Sequence, residues 1–140
     1  METDCVICAL ATKSIQVWTV YEDDLTFAFL PKKMQVVGHT VVAPKRHFGD
    51  IYSTPEHDLH SLLDTVKKIA VHYRNKLGAK GCNILNANHA TAQQSVPHLH
   101  FHIFRDLRMM EWTRGQIYRI RRVIKTSFWQ KLVCSHEKAG

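Results

Sequence analysis

The sequence predicts an α+β domain: a mainly antiparallel five-stranded sheet with one long helix and a C-terminal helix. Three observations carry this. Five short segments are rich in strand formers, and one long stretch has an apolar stripe at helical spacing. They also run in a telling order, with paired strands first, then the helix, then two more strands.

Residues 17–21 (Val-Trp-Thr-Val-Tyr) and 25–30 (Leu-Thr-Phe-Ala-Phe-Leu) read as a hairpin turning at Glu22-Asp23-Asp24. A third strand, 39–43, follows Gly38 and stops at Pro44. The helix covers 55–77, with Thr54 as N-cap, Pro55 in its first turn and Gly78 at its end. Its stripe is Leu59, Leu62, Leu63, Val66, Ile69, Ala70, Tyr73 and Leu77. Strands at 82–85 and 98–104 follow. In the tail, Ile117, Ile120, Ile124, Phe128 and Leu132 share one face, which predicts a second, basic amphipathic helix over 116–132.

The chain of 140 residues fits one domain, 1–140, and 45% apolar with 22% charged residues is ordinary for a globular protein. No apolar run is long enough to span a bilayer, and the N-terminus lacks the basic region and cleavage site of a signal peptide. No membrane association and a cytoplasmic location are therefore expected. The net charge of +7 is concentrated at one end. From Arg105 onward nine Lys/Arg face three Asp/Glu, whereas the first 104 residues carry ten against nine. Such a tail suits an anionic partner. A solvated face of an amphipathic helix is the commoner explanation.

The most informative segment is Val96-Pro97-His98-Leu99-His100-Phe101-His102-Ile103-Phe104. In a strand, alternate side chains share a face, so Leu99, Phe101 and Ile103 would enter the core while three imidazoles line the other side. Three alternating histidines exceed what a merely polar strand needs. A three-histidine zinc site of the open catalytic kind also fits this spacing. Cys5 and Cys8 form a C-x-x-C pair, which in a reducing compartment points to metal binding or redox work, or else to two buried thiols. No thioredoxin-like βαβ pattern surrounds it. Cys82 and Cys134 show no metal spacing.

Gln94-Ser95-Val96-Pro97-His98-Leu99-His100-Phe101-His102-Ile103-Phe104 resembles the signature of the histidine triad (HIT) nucleotide hydrolases and transferases, three histidines alternating with apolar residues. Gly38-His39-Thr40-Val41-Val42-Ala43-Pro44-Lys45-Arg46-His47 resembles that family's G-H-T-L-V-I-P-K-x-H segment, and Cys5-Val6-Ile7-Cys8 the C-x-F-C of its zinc-binding members. The matches keep the family's order from about residue 4 to 104, leaving 1–112 as core and 113–140 as a basic extension.

The resemblance implies the HIT fold, a nucleotide substrate and a homodimer. It makes His100 the nucleophile toward an α-phosphorus, through a nucleotidyl-histidine. His102 becomes a donor to the phosphate, and Ser95 a group that positions or protonates the leaving atom, with a loop cap as the plainer role. Gln94, His39 and Ile7 are the implied nucleotide contacts, and Asn86 or Asn88 could add a hydrogen bond after a small register shift. The implied metal is structural zinc on Cys5, Cys8, His47 and His98.

Three positions depart from the family pattern. Pro31 stands where an acid commonly grips the ribose hydroxyls, Ala87 where an amide is common, and Ala92-Gln93-Gln94 replaces A-G-Q. Two rival expectations remain: a non-catalytic nucleotide-binding or scaffold protein, and an enzyme acting on nucleic-acid 5′ ends through Arg119, Arg121, Arg122, Lys125 and Lys131.

Overall fold

The computed structural model describes residues 4–34 and 38–106. The expected helix at 116–132 and the boundary at 112 lie outside these residues. The elements run α1 (Val6–Ala11), β1 (Trp18–Glu22), β2 (Thr26–Leu30), β3 (Thr40–Pro44), α2 (Glu56–Leu77), β4 (Cys82–Leu85) and β5 (Phe101–Arg105). One 3-10 turn, Ala90–Ala92, lies between the last two strands. The five strands form a single sheet in the order β1-β2-β3-β5-β4, and every pairing is antiparallel. The predicted class holds.

The β1–β2 hairpin turns where Asp23 accepts hydrogen bonds from the amides of Leu25 and Thr26, at 2.9 and 2.7 Å. An aspartate that satisfies the amides just after it favours a turn over continued strand. β2 and β3 are buried on both faces, and their alternate residues divide between two apolar clusters. Ala28, Leu30 and Val42 pack with Leu62, Val66, Ile69 and Tyr73 of α2. Phe27, Phe29, Val41 and Ala43 pack on the opposite face with Cys5 and Ile7 of the N-terminal segment. A period of two thus builds a layer on each side of the sheet.

Hydroxyl contacts tie α2 to the sheet: Thr26 meets Thr65 at 2.6 Å, Thr40 meets Tyr73, and Lys68 donates to the Tyr21 hydroxyl at 3.0 Å. α2 ends at Gly78, which takes the left-handed conformation, φ 65°, that glycine adopts without penalty. Its start differs from the sequence reading. Pro55 is the N-cap, and the Thr54 hydroxyl donates to the Asp50 carbonyl at 2.6 Å instead of capping the helix. Leu63, counted in the stripe, is 48% exposed.

A second correction concerns the histidine segment. Leu99, Phe101 and Ile103 do enter the core, but the hydrogen-bonded strand begins only at Phe101. Upstream of it the backbone is spent elsewhere: the Leu99 amide donates to the Phe48 carbonyl at 2.6 Å and the His98 amide to the Val96 carbonyl at 2.8 Å. Only His102 therefore belongs to the ladder, directly opposite Val41 of β3 and Leu85 of β4.

Candidate functional site

α1 is short, and its work is to bring two thiols together. Cys5 is its N-cap, and its Sγ accepts from the Cys8 amide at 3.5 Å. His47 follows β3, and His98 precedes β5. The four ligand atoms of Cys5, Cys8, His47 and His98 lie within 4.8 Å of one another. His98 Nδ1 is 3.4 Å from Cys5 Sγ and 3.5 Å from Cys8 Sγ, and His47 Nδ1 is 3.3 Å from Cys8 Sγ. Tetrahedral bonds of ordinary length around one zinc ion would separate sulfur and nitrogen by about 3.6 Å, so this donor set fits a metal ion.

The second nitrogen of His98 supports that fit. Its Nε2–H donates to the buried Pro44 carbonyl at 2.9 Å, leaving Nδ1 unprotonated toward the thiols. A hydrogen bond that fixes the tautomer of a ligating histidine is a recurrent feature of metal sites. Burial holds this imidazole neutral, lowering its pKa from 6.5 to about 4.

The other two histidines of the segment turn away from the thiols. His100 is buried, and its Nδ1–H donates to the His98 carbonyl at 2.6 Å. The only acceptor in that pair is the carbonyl, so the Nε2 atom keeps its lone pair. Desolvation lowers its pKa below the ordinary histidine value, partly offset by the same hydrogen bond. The His100 and His102 rings meet edge-on with centroids 4.9 Å apart.

His102 Nδ1 shares a hydrogen bond of 2.9 Å with Nε2 of His39. Burial and the neighbouring imidazole lower both groups, His39 to about 3 and His102 to about 4. All three are neutral at pH 7. Gly38, just before His39, has φ 84°, and a Cβ there would sit 3.3 Å from the Arg105 side chain.

Sequence reasoning did not single out Phe104, which stacks against His39 with centroids 4.3 Å apart. The signal was present, because Phe104 continues the alternation two residues beyond His102.

The implied nucleotide contacts fare unevenly. Ile7 is 3% exposed inside the second apolar cluster, beside Phe27 and Phe29. Gln94 is occupied at both ends, its Nε2 donating to the Gly49 carbonyl and its Oε1 accepting from the His89 amide, each at 2.7 Å. Asn86 donates to the His100 carbonyl, and Asn88 accepts from the Ile51 amide. Ser95 is exposed on the loop that follows Gln94.

That loop is bent sharply. Gln93 takes the left-handed conformation, φ 65°, at the place of the family's glycine. His89, at φ 71° and ψ 160°, occupies a region close to glycine-only, with Nε2 3.0 Å from Asp50 Oδ2. The 49–51 loop, which holds this segment from the other side, was missed by sequence reasoning. Apart from the Asp50 carboxylate, it contributes backbone groups, the Gly49 carbonyl and the Ile51 amide, which leave no residue-type signal.

Known proteins resemble this chain in sequence and in fold. A family model described as HIT domain matches residues 12–108. An uncharacterized HIT-like protein of Methanocaldococcus jannaschii is 39% identical over 99 residues, covering 71% of this chain and 76% of its own. An adenosine 5′-monophosphoramidase of Candida albicans is 28% identical over 103 residues, covering 71% and 68%. Among solved structures, a zinc-bound histidine triad family protein from Mycobacterium smegmatis superposes with a TM-score of 0.76 at 27% identity, covering 92% of this chain and 90% of that one.

Proposed function

The chain belongs to the HIT family, and from that premise we propose that it is a nucleotide hydrolase or transferase acting at an α-phosphorus with His100 as nucleophile. The observation that carries this reading is the 2.6 Å hydrogen bond from His100 Nδ1–H to the His98 carbonyl. It fixes the tautomer that keeps the lone pair on Nε2, while burial keeps the ring neutral at pH 7, the state a nucleophile needs.

Nε2 of His100 attacks phosphorus, the bond to the leaving nitrogen or oxygen breaks, and Ser95 guides a proton to that atom. Water, or an acceptor alcohol or phosphate, then attacks the nucleotidyl-histidine and restores the imidazole. His102 donates to a phosphate oxygen from Nε2 when His39 Nε2–H supplies the proton of their shared hydrogen bond. The relative named as an adenosine 5′-monophosphoramidase supports phosphoramidates as substrates, with mixed anhydrides and dinucleoside polyphosphates as further members of the class.

Zinc is the metal we assign to Cys5, Cys8, His47 and His98, in a structural role. Held there, it ties the N-terminal turn to the segment carrying the nucleophile. Unlinked thiols serving as ligands suit a reducing, cytoplasmic setting, and no helix among the described residues is long and apolar enough to cross a membrane. A homodimer belongs to the same reading. β4 ends the sheet with Ile84 45% exposed, and α2 exposes Leu63 and Val71.

The test is incubation with adenosine 5′-phosphoramidate and a diadenosine polyphosphate, followed by mass spectrometry of the protein. Release of AMP and an adenylyl adduct on His100 are expected, with a loss of about a thousandfold or more in His100→Ala. A folded protein that turns over neither compound and forms no adduct would return it to the class of binding proteins. Light scattering on the same sample should give twice the chain mass; a monomer removes the dimer.

A further inference from the structure

Asn86 and Asn88 were candidates for a hydrogen bond to the nucleotide. We propose instead that they form a relay that positions His100, and this rests on the nucleotidyl-histidine reading above. β5 pairs with β3 as far as Val42–Phe101 and with β4 as far as Leu85–His102. His100 is the residue just outside β5, and Asn86 is the residue just outside β4. Where the β4–β5 ladder stops, the Asn86 side chain takes over, its Nδ2–H donating to the His100 carbonyl at 2.9 Å.

Asn88 Nδ2–H donates in turn to Asn86 Oδ1 at 2.5 Å, and the Ile51 amide donates to Asn88 Oδ1 at 2.7 Å. The relay has one permitted polarity. Its two ends are backbone groups of fixed type, an N–H at Ile51 and a carbonyl at His100. An amide at each intermediate position transmits that direction, whereas a carboxylate at either one breaks a link.

The nucleophile is thereby gripped through both of the carbonyls that matter to it. The His98 carbonyl receives its ring proton, and its own carbonyl receives the relay. The far anchor is the 49–51 loop, to which Gln94 is also fastened through Gly49. Ile51 packs against the main core, so the anchor is joined to the body of the fold. One short segment holds both the nucleophile and the loop bearing Ser95, and their separation is fixed by hydrogen bonds that no substrate has to make.

Small displacements of a nucleophile cost up to about a hundredfold in rate. The test uses the full-length, metal-loaded protein with Asn86→Asp, Asn88→Asp and Asn86→Ala. Each should lower kcat about 10- to 100-fold and leave KM within about threefold. The factor should be the same on ribo- and 2′,3′-dideoxyadenosine phosphoramidates. Asn88→Asp should add little to Asn86→Ala, because the relay is already cut.

The imidazole Nδ1–H resonance of His100 provides a readout independent of turnover, and its exchange with solvent should quicken in every variant. A rise in KM at constant kcat that vanishes on the dideoxy substrate would make both residues sugar contacts and overturn the proposal. So would an unchanged Nδ1–H resonance. If the unaltered protein turns over nothing, the functional reading fails, while the resonance still decides whether the relay holds His100.

Discussion

Two histidine clusters sit side by side, and they use one residue type for different ends. In the first, His47 and His98 turn Nδ1 toward the thiols of Cys5 and Cys8, and a carbonyl holds the remote nitrogen of His98. In the second, His39, His100 and His102 face one another, and a carbonyl holds the near nitrogen of His100. The difference lies in which ring nitrogen the backbone claims. Claiming Nε2 leaves a ligand aimed at sulfur. Claiming Nδ1 leaves Nε2 for an electrophile.

The comparison can be broken most forcefully at the thiols. Cys8→Ser and His47→Ala should each abolish stoichiometric zinc and lower stability by about 4 kcal/mol, what mass action gives for a ligand at a thousand times its dissociation constant. Emission spectroscopy for the metal and urea unfolding for stability check this. His100→Ala should leave both quantities unchanged. If the thiol variants kept their zinc, or His100→Ala released it, the division of labour between the clusters would be wrong.

A smaller effect separates the clusters by pH. Burial holds His39 near 3 and His102 near 4, against 6.5 for an exposed histidine. Below pH 6.5 the unfolded chain binds protons that the folded chain refuses, so stability must fall as pH drops from 6.5 toward 4. Above 6.5 these two groups add no slope. Urea titrations at pH 7.5, 6 and 5, with zinc followed in parallel, should show the decline, and His39→Gln and His102→Gln should each flatten it. A slope unaltered in both variants would assign the decline to metal release and to the buried His98 and His100 instead.

The smallest expected change concerns the loop serving the second cluster. Gln93 is held left-handed at φ 65°, a conformation costing a side chain about 1 kcal/mol that glycine escapes. Gln93→Gly should raise the unfolding free energy by about that amount, measured by urea unfolding, with zinc content unchanged. A loss of stability would mean that the Gln93 side chain contributes more than its backbone costs.

Much of the fold was legible because burial and periodicity coincide. The α2 stripe, apart from Leu63, marks a face that packs on the sheet, and the strand-former runs of β2 and β3 are buried throughout. The start of β5 was not legible. Alternation in His98–Phe104 reports which side each residue faces, and that persists after the backbone has left the ladder. The thiol pair was visible from spacing, but His47 and His98 came only from the family resemblance. The relay through Asn86 and Asn88 was out of reach, because one end is an amide 37 residues away in sequence. Hydrogen bonds to backbone are blind to the residue types they join.

His98 offers its ring to the thiols and its carbonyl to the nucleophile, so one residue belongs to two equilibria. Free energies that share a state function are reciprocal. If occupancy of the cluster tightens the hold on a nucleotide at His100 by some factor, the nucleotide must tighten the hold on the ion by that same factor. Each ligand then protects the other from dissociation, and a cell short of one would begin to lose both.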